Sequence, residues 1–170
     1  ASARAGNVVG GGDWAEDRLI PDFIRAITVG EKLKIRSPHA IRPWQHVLEP
    51  LGGYLLLASN LYKSGKYHGE AFNFGPIETN DYSVRDLIEL MSREWTKAKW
   101  NDCSSKNKLK YESSLLKLDI HKSNKLLKWS PVLTFEETVK MTVQWYMHFY
   151  EKKTQFLVSR QRFLMVLTRS

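Results

Sequence analysis

The sequence predicts an α+β domain that is rich in helices and contains several short strands. Several segments place apolar residues three and four positions apart, which is the spacing of one helix face, whereas the apolar runs that suit strands are short. Helices and strands do not alternate regularly, as they would in a doubly wound parallel sheet. The chain has 170 residues, of which 42% are hydrophobic, so it can form about one domain with a buried core.

The amino-terminal segment is predicted to begin within a buried strand, ARAGNVV at residues 3–9. A helix is expected in LIPDFIRAITVG, where Gly30 can end it. Its apolar residues share one face. They are Ile20, Phe23, Ile24 and Ile27.

A short edge strand is predicted at KLKIR, and a loop at SPHAIRPWQH, which holds two prolines. HVLEPLGGYLLLASNLY reads as a second helix, in which the small Gly52 and Gly53 permit close packing against a neighbour despite their low helix propensity. A turn at SGKYHGE and a short apolar strand, AFNFG, follow.

In the second half of the chain, Ser83 is predicted to cap a helix in SVRDLIELMSREW. Residues 96–113 are polar and rich in lysine, with no clear pattern. LLKLDIHKSNKLLKW is expected to hold a short strand and then a helix capped by Asp119. Thr134 and Glu137 form a capping box for the last helix, TFEETVKMTVQWYMHFY.

The glycine-rich stretch RAGNVVGGGDWAEDR raises the question of a dinucleotide site. That fingerprint needs G-x-G-x-x-G between a strand and a helix, so that the helix amino terminus meets the phosphates. Here a charged stretch separates Gly12 from the predicted helix. We therefore expect no cofactor binding by these glycines, and expect them instead to let the backbone approach a ligand.

Tyr62 and Lys66 have the Tyr-x-x-x-Lys spacing that places a catalytic pair on one helix face. Gly65 lies between them, where the helix is predicted to stop, so we do not expect this pair to be catalytic. The histidines lack metal-ligand spacing, and Cys103 has no identifiable base partner. The residues thus assign no catalytic group and no metal ligand.

The formal net charge of +8 favours an anionic partner, although a solvated basic surface explains it equally well. Arg42 stands close to Trp44 and His46 in SPHAIRPWQH, and an arginine fork suits phosphate. This predicts an anion-binding loop. The alternative is a structural salt bridge under a core tryptophan. Basic residues are dispersed and no apolar run suits a membrane span, so neither nucleic acid nor membrane is expected as a partner. The single cysteine fits the cytoplasm.

Three stretches of the chain resemble the later part of the CDP-glucose 4,6-dehydratases, a family of extended short-chain dehydrogenases/reductases that act on nucleotide sugars. They are RAGNVVGGGDWAEDRLIPDFIRA, IRSPHAIRPWQHVLEPLGGYLLLA and EAFNFGP. The similarity runs from about residue 3 to residue 150. It implies a helix-rich substrate-binding lobe that lacks most of the Rossmann sheet, as residues 1–153, followed by a tail of unknown role, residues 154–170.

The resemblance implies a reaction that the complete family enzyme performs as a lyase. The sugar is oxidised at C4 with NAD, water is eliminated across C5 and C6, and hydride returns to C6. The product is a precursor of dideoxy sugars in the O-antigens of bacterial lipopolysaccharide. The partner is then a CDP-sugar.

The resemblance also implies which residues contact substrate. Asn7 would contact the phosphates or the sugar, Arg18 and Leu19 would cover the diphosphate, Lys34 and Arg36 would flank the base, and Arg42 would clamp the diphosphate. Asn73 would lie in the nucleotide pocket. Trp44 is predicted from its own chemistry, next to Arg42, to form a wall against a sugar or base. Tyr111 and Glu112 fall where the family has a His-Glu word, from which the tyrosine departs.

The family's NAD fingerprint and its acid/base segment have no match within these residues, and Tyr62 and Lys66 do not correspond to the family's catalytic Tyr-x-x-x-Lys pair. We therefore expect this chain alone to bind no NAD and to be inactive, as a fragment or truncated product. Three alternatives remain. In the first, the chain is an interaction module that pairs with a Rossmann domain, a full-length homologue or another copy of itself. In the second, it is part of a related dehydratase or epimerase with another nucleotide preference. In the third, it is a basic protein that binds nucleic acid or a membrane surface through the tail.

Overall fold

The computed structural model describes residues 1–77, 81–95, 99–104 and 114–150. Within these ranges the chain forms helices joined by short strands, and every strand pairs in parallel with one other. The strands are β1 (Ser2–Ala5), β2 (Asn7–Val9), β3 (Lys32–Ile35), β4 (Trp44–His46), β5 (Ala71–Phe74) and β6 (Lys99–Asp102). The helices are α1 (Leu19–Val29), α2 (Leu48–Ser64), α3 (Val84–Glu94) and α4 (Phe135–Tyr150). The predicted helix-rich α+β class is confirmed.

The predicted helices are confirmed together with their end signals. Gly30 ends α1 with φ 73° and Gly65 ends α2 with φ 61°, both in the left-handed region that favours glycine. Ser83 accepts the backbone N–H of Asp86 in a capping box at α3. At the start of α4, the N–H of Glu137 donates to Thr134 Oγ1 at 3.1 Å, and the N–H of Thr134 donates back to Glu137 at 3.0 Å.

The strand predicted at residues 3–9 is two strands that separate at Gly6. β1 pairs with β5, whereas β2 pairs with β4, so the chain changes partner at this glycine. A Cβ atom at Gly6 would lie 2.6 Å from the carbonyl oxygen of Pro43, so only glycine permits this approach. The prediction that the strand is buried was wrong for β1, which is mostly exposed.

Two further strands lie where the sequence shows no strand pattern. β4 falls inside the predicted loop, and all three of its residues are buried, so no polar alternation marks it. β6 is polar and mostly exposed, and it pairs with β3.

The strand expected before Asp119 is wrong, because residues 115–118 make only an isolated bridge from Leu115 to Ile41. The cap itself is confirmed, since Asp119 accepts the His121 N–H at 2.7 Å. The helix that it starts ends in a π-helical turn, Ser123–Leu127.

The described residues form two apolar cores. The larger one packs α1, α3 and α4 around β3, with Phe23, Leu87 and Val143 fully buried. The smaller one packs α2 on β5 and on the segment that contains Leu127 and Trp129. No helix in the part of the chain that the structure describes has both the length and the apolar character needed to cross a membrane.

Glu49 joins α2 to the segment that precedes α4. It lies in the first turn of α2 and is 3% exposed. Its Oε1 accepts the N–H groups of Val132 at 2.9 Å and Leu133 at 2.7 Å. Burial raises the pKa of the Glu49 carboxyl and outweighs these hydrogen bonds, which lower it.

We expect the contribution of Glu49 to stability to fall as the pH rises. An acid with a raised pKa binds more protons in the folded state, so the free energy of unfolding decreases from the ordinary value of 4.5 up through the raised pKa. Glu49→Gln does not ionise and keeps an oxygen that accepts both N–H groups. In urea unfolding across this pH range, the free energy of unfolding of the variant should therefore rise relative to that of wild type as the pH increases. A shift in favour of wild type would contradict this account of Glu49.

Candidate functional site

A cleft of about 560 Å³ opens between the start of β2, the start of α1, β3 and the loop before β4. Its volume is within the range of small-molecule sites. Most of the residues predicted to bind substrate line it and are brought together from these four elements. They are Asn7, Arg18, Leu19, Lys34, Arg36, Arg42 and Trp44. We call this the cationic cleft.

Two of the cations come from β3 and the residue that follows it. Side chains alternate along a strand, so Leu33 and Ile35 are buried while Lys34 and Arg36 are exposed, and all four residues contribute to the lining of the cleft. Neither cation has an ion-pair partner among the described residues. Neither charge is therefore neutralised by an acidic side chain of the described residues.

Arg42 enters the cleft from the loop before β4 and is half-buried. Its Nη1 donates to the carbonyl oxygen of Ile41 at 2.8 Å, which fixes one edge of the guanidinium. A partly desolvated guanidinium with a fixed orientation attracts phosphate more strongly than a fully hydrated one.

The amino terminus of α1 adds a second source of positive potential. Arg18 occupies the cap position, and no side chain there accepts a hydrogen bond from the first turn. Arg18, Leu19 and Ile20 all line the cleft. The uncapped N–H groups and the helix dipole favour an anion at this point.

Three aspartates also line the cleft, although the sequence did not predict them as site residues. Asp22 pairs with Arg25, and Asp13 pairs with Arg18 at 3.2 Å, whereas Asp17 has no ion-pair partner among the described residues. The one sequence feature that could have indicated the Asp13–Arg18 ion pair is the short distance of five residues between an acid and a base that follow the glycine run. The cleft thus combines four cations with acids that are mostly paired.

The glycine-rich loop packs against α4 as well as bordering the cleft. Gly10 lines the cleft, but a Cβ atom at Gly11 would lie 2.0 Å from ring carbons of Trp145. Gly11 therefore permits an aromatic side chain to contact the backbone. Trp145 therefore covers the side of the loop backbone at Gly11 and Gly12.

Tyr146 of α4 holds the end of this loop. Its hydroxyl donates to the carbonyl oxygen of Asp13 at 2.7 Å and accepts the Asp13 N–H at 3.1 Å. Burial raises the pKa of Tyr146 to about 12, so the hydroxyl stays protonated at neutral pH and continues to donate.

Three predicted site residues are not among the described residues that line this cleft. Asn73 lies on β5, where its Nδ2 donates to the carbonyl oxygen of Asp119 at 3.0 Å, and it does not line the cleft. Tyr111 and Glu112 lie outside the described residues.

A second cavity of about 390 Å³ lies on the other side of Arg42 and Trp44. Lys117 and Asp81 form an ion pair in its wall at 2.6 Å, and the carboxylates of Glu49 and Glu136 are also part of that wall. Acids therefore outnumber bases among its described lining residues. This cavity suits a diphosphate less well than the cationic cleft.

Tyr62 and Lys66 are not placed as a pair on one helix. α2 ends at Ser64, and Gly65 turns the chain, while Tyr62 is 94% exposed. The predicted helix end between them is confirmed.

Comparison with known proteins gives one strong sequence relationship. The chain is 40% identical over 162 residues to CDP-glucose 4,6-dehydratase of Salmonella typhimurium, which covers 95% of this chain and 45% of that enzyme. The chain therefore spans less than half the length of this relative. No protein-family model matches the chain.

Solved structures show the same fold at low sequence identity. UDP-glucuronic acid 4-epimerase of Bacillus cereus, solved with UDP-glucuronic acid and NAD, has a TM-score of 0.72 at 19% identity over 87% of this chain and 45% of that one. dTDP-glucose 4,6-dehydratase of Bacillus anthracis strain Ames, solved with NAD, has a TM-score of 0.67 at 20% identity over 89% of this chain and 45% of that one.

The sequence relationship and the fold agree, since these proteins are nucleotide-sugar dehydratases and epimerases. The chain is similar in sequence to a CDP-glucose 4,6-dehydratase, and it shares its fold with part of the solved structures of a nucleotide-sugar epimerase and a nucleotide-sugar dehydratase.

Proposed function

We propose that this chain provides the nucleotide-sugar-binding half of a CDP-glucose 4,6-dehydratase. The observation that carries the proposal is the convergence of Arg18, Lys34, Arg36 and Arg42 on one cleft from three separate parts of the chain. The sequence relationship to a CDP-glucose 4,6-dehydratase favours a CDP-sugar as the ligand.

In this proposal the chain's own residues bind and orient the nucleotide sugar. The cations and the α1 amino terminus hold the diphosphate, because charge-assisted hydrogen bonds to phosphate are strong. Trp44 and Leu19 supply apolar walls, and Asn7 supplies amide donors and an acceptor at the start of β2. Fixing the diphosphate in this way would hold the attached hexose in a set position for reaction.

The redox and proton-transfer groups would come from polypeptide outside these 170 residues. Two observations support this: Trp145 lies against Gly11 in the glycine loop, and Tyr62 and Lys66 are not paired on a helix. We therefore derive no catalytic step from this chain and expect it to convert no CDP-glucose by itself.

One face of α2 favours packing of such complementary polypeptide. Leu51, Leu55 and Tyr62 are 43%, 57% and 94% exposed, and the exposed Ala58 lies between them at helical spacing. This α2 stripe is apolar along its length, as expected of a face that packs against another element. It supports the role of an interacting half rather than a self-sufficient enzyme.

A calorimetric titration tests the proposed ligand. We expect CDP-glucose to bind the chain more tightly than dTDP-glucose, because the sequence relationship is to the CDP-sugar enzyme. Glucose 1-phosphate serves as the control that lacks the nucleotide and should bind more weakly than either. Equal or tighter binding of dTDP-glucose would overturn the CDP assignment.

A further inference from the structure

Hydrogen bonds to both its backbone and its side chain hold Asp13 in place at the edge of the cationic cleft. Its backbone N–H and C=O are both held by the hydroxyl of Tyr146, which is fully buried. Its Oδ1 accepts the N–H of Ala15 at 3.0 Å, which sets the side-chain direction. The second oxygen, Oδ2, accepts Nη1 of Arg18 at 3.2 Å.

Arg18 has no such support from its own surroundings. Its side chain is 67% exposed, and Asp13 is its only ion-pair or side-chain hydrogen-bond partner among the described residues. A guanidinium has five N–H donors in a rigid fork. The contact with Oδ2 uses Nη1 and leaves the other edges able to face a ligand in the cleft.

We propose that Asp13 is a positioning residue, which holds the Arg18 guanidinium over the cleft so that it meets an incoming diphosphate. This inference rests on the proposed function and assigns to an acid a role in binding an anion. Without Asp13, a long exposed arginine would have to lose its rotamer freedom when the ligand binds.

If Asp13 instead weakened anion binding by repulsion, its removal would change the affinity in the opposite direction, and this difference provides the test. A carboxylate in an anion site repels phosphate, and removing it should tighten binding if repulsion dominates. Asp17 isolates this repulsion, because it lines the same cleft without an ion-pair partner among the described residues. Its φ of 59° is tolerated by asparagine, so Asp17→Asn is a matched control.

The experiment is a double-mutant cycle on the 170-residue chain, with inorganic pyrophosphate and CDP-glucose as probes. We expect Asp13→Asn to weaken pyrophosphate binding by about fivefold in the wild-type background and by less than about twofold in an Arg18→Ala background. Asp17→Asn should bind pyrophosphate more tightly than wild type. Thermal unfolding of each variant shows whether it is folded under the conditions of the binding measurement.

An equal loss in both backgrounds would show that Asp13 acts only by supporting the loop and would overturn the proposal. Tighter binding by Asp13→Asn would also overturn it, in favour of repulsion. Wild type that binds pyrophosphate but not CDP-glucose would contradict the proposed function, while the cycle with pyrophosphate would still decide the role of Asp13. Binding of neither probe would overturn both.

Discussion

Arg42→Ala is expected to weaken CDP-glucose binding by about 30-fold or more, which corresponds to about 2 kcal/mol. Arg42 is the half-buried cation of the cationic cleft, and its contact with the Ile41 carbonyl orients it before a ligand arrives. A diphosphate that loses this partner stays desolvated without compensation. Isothermal titration calorimetry measures the change directly.

Two control variants separate geometry from charge. Arg42→Lys keeps the charge but loses the planar fork, so we expect an intermediate loss of about tenfold. Lys32→Ala removes the same charge from an exposed position at the start of β3 that does not line the cleft, and should change the affinity by less than about twofold. An effect of Lys32→Ala as large as that of Arg42→Ala would show that general electrostatic attraction accounts for binding.

Gly53→Ala is expected to destabilise the protein by about 1–3 kcal/mol, although alanine is the better helix former. A Cβ atom at Gly53 would lie 2.2 Å from Cδ1 of Phe74, whose ring is fully buried and packs edge-on against Tyr54 and Trp129. The contact between α2 and β5 in the smaller core depends on this glycine. Urea unfolding followed by circular dichroism gives the change.

The neighbouring glycine is a matched control on the same helix. A Cβ atom at Gly52 would meet nothing within 4 Å, so Gly52→Ala should gain only helix propensity, about 0.5–1 kcal/mol of stability. The two substitutions add the same methyl group to adjacent positions and should have opposite signs. If both stabilise the protein, the close packing of α2 on Phe74 is incorrect.

The helices were predictable because their signals are local. Ser83 with Asp86 and Thr134 with Glu137 act within one helical turn, and the apolar face of α1 repeats within eleven residues. β4 and β6 were not predictable in this way. β4 is buried on all sides, and β6 is polar and acquires its role by pairing with β3.

The same distinction applies to the cleft. Arg42 and Trp44 stand out as a local pair, whereas the other lining residues followed from resemblance to a family and not from spacing. Asp13 was not predicted as a site residue because its position depends on hydrogen bonds to Tyr146, which is 133 positions away. Asn73, by contrast, was predicted as a site residue, but its amide donates to the Asp119 carbonyl oxygen and it does not line the cleft.

In the proposed function, a nucleotide sugar binds in the cationic cleft and not in the second cavity beyond Trp44. Arg42 lines both, so its substitution alone does not separate them. Backbone amide NMR during a titration with CDP-glucose does. We expect the largest shifts at Asn7, Leu19 and Lys34, which come from three elements around the cleft. Shifts confined to the second cavity, at Lys117, Leu118 and Thr134, or no shifts at saturating CDP-glucose, would contradict the account.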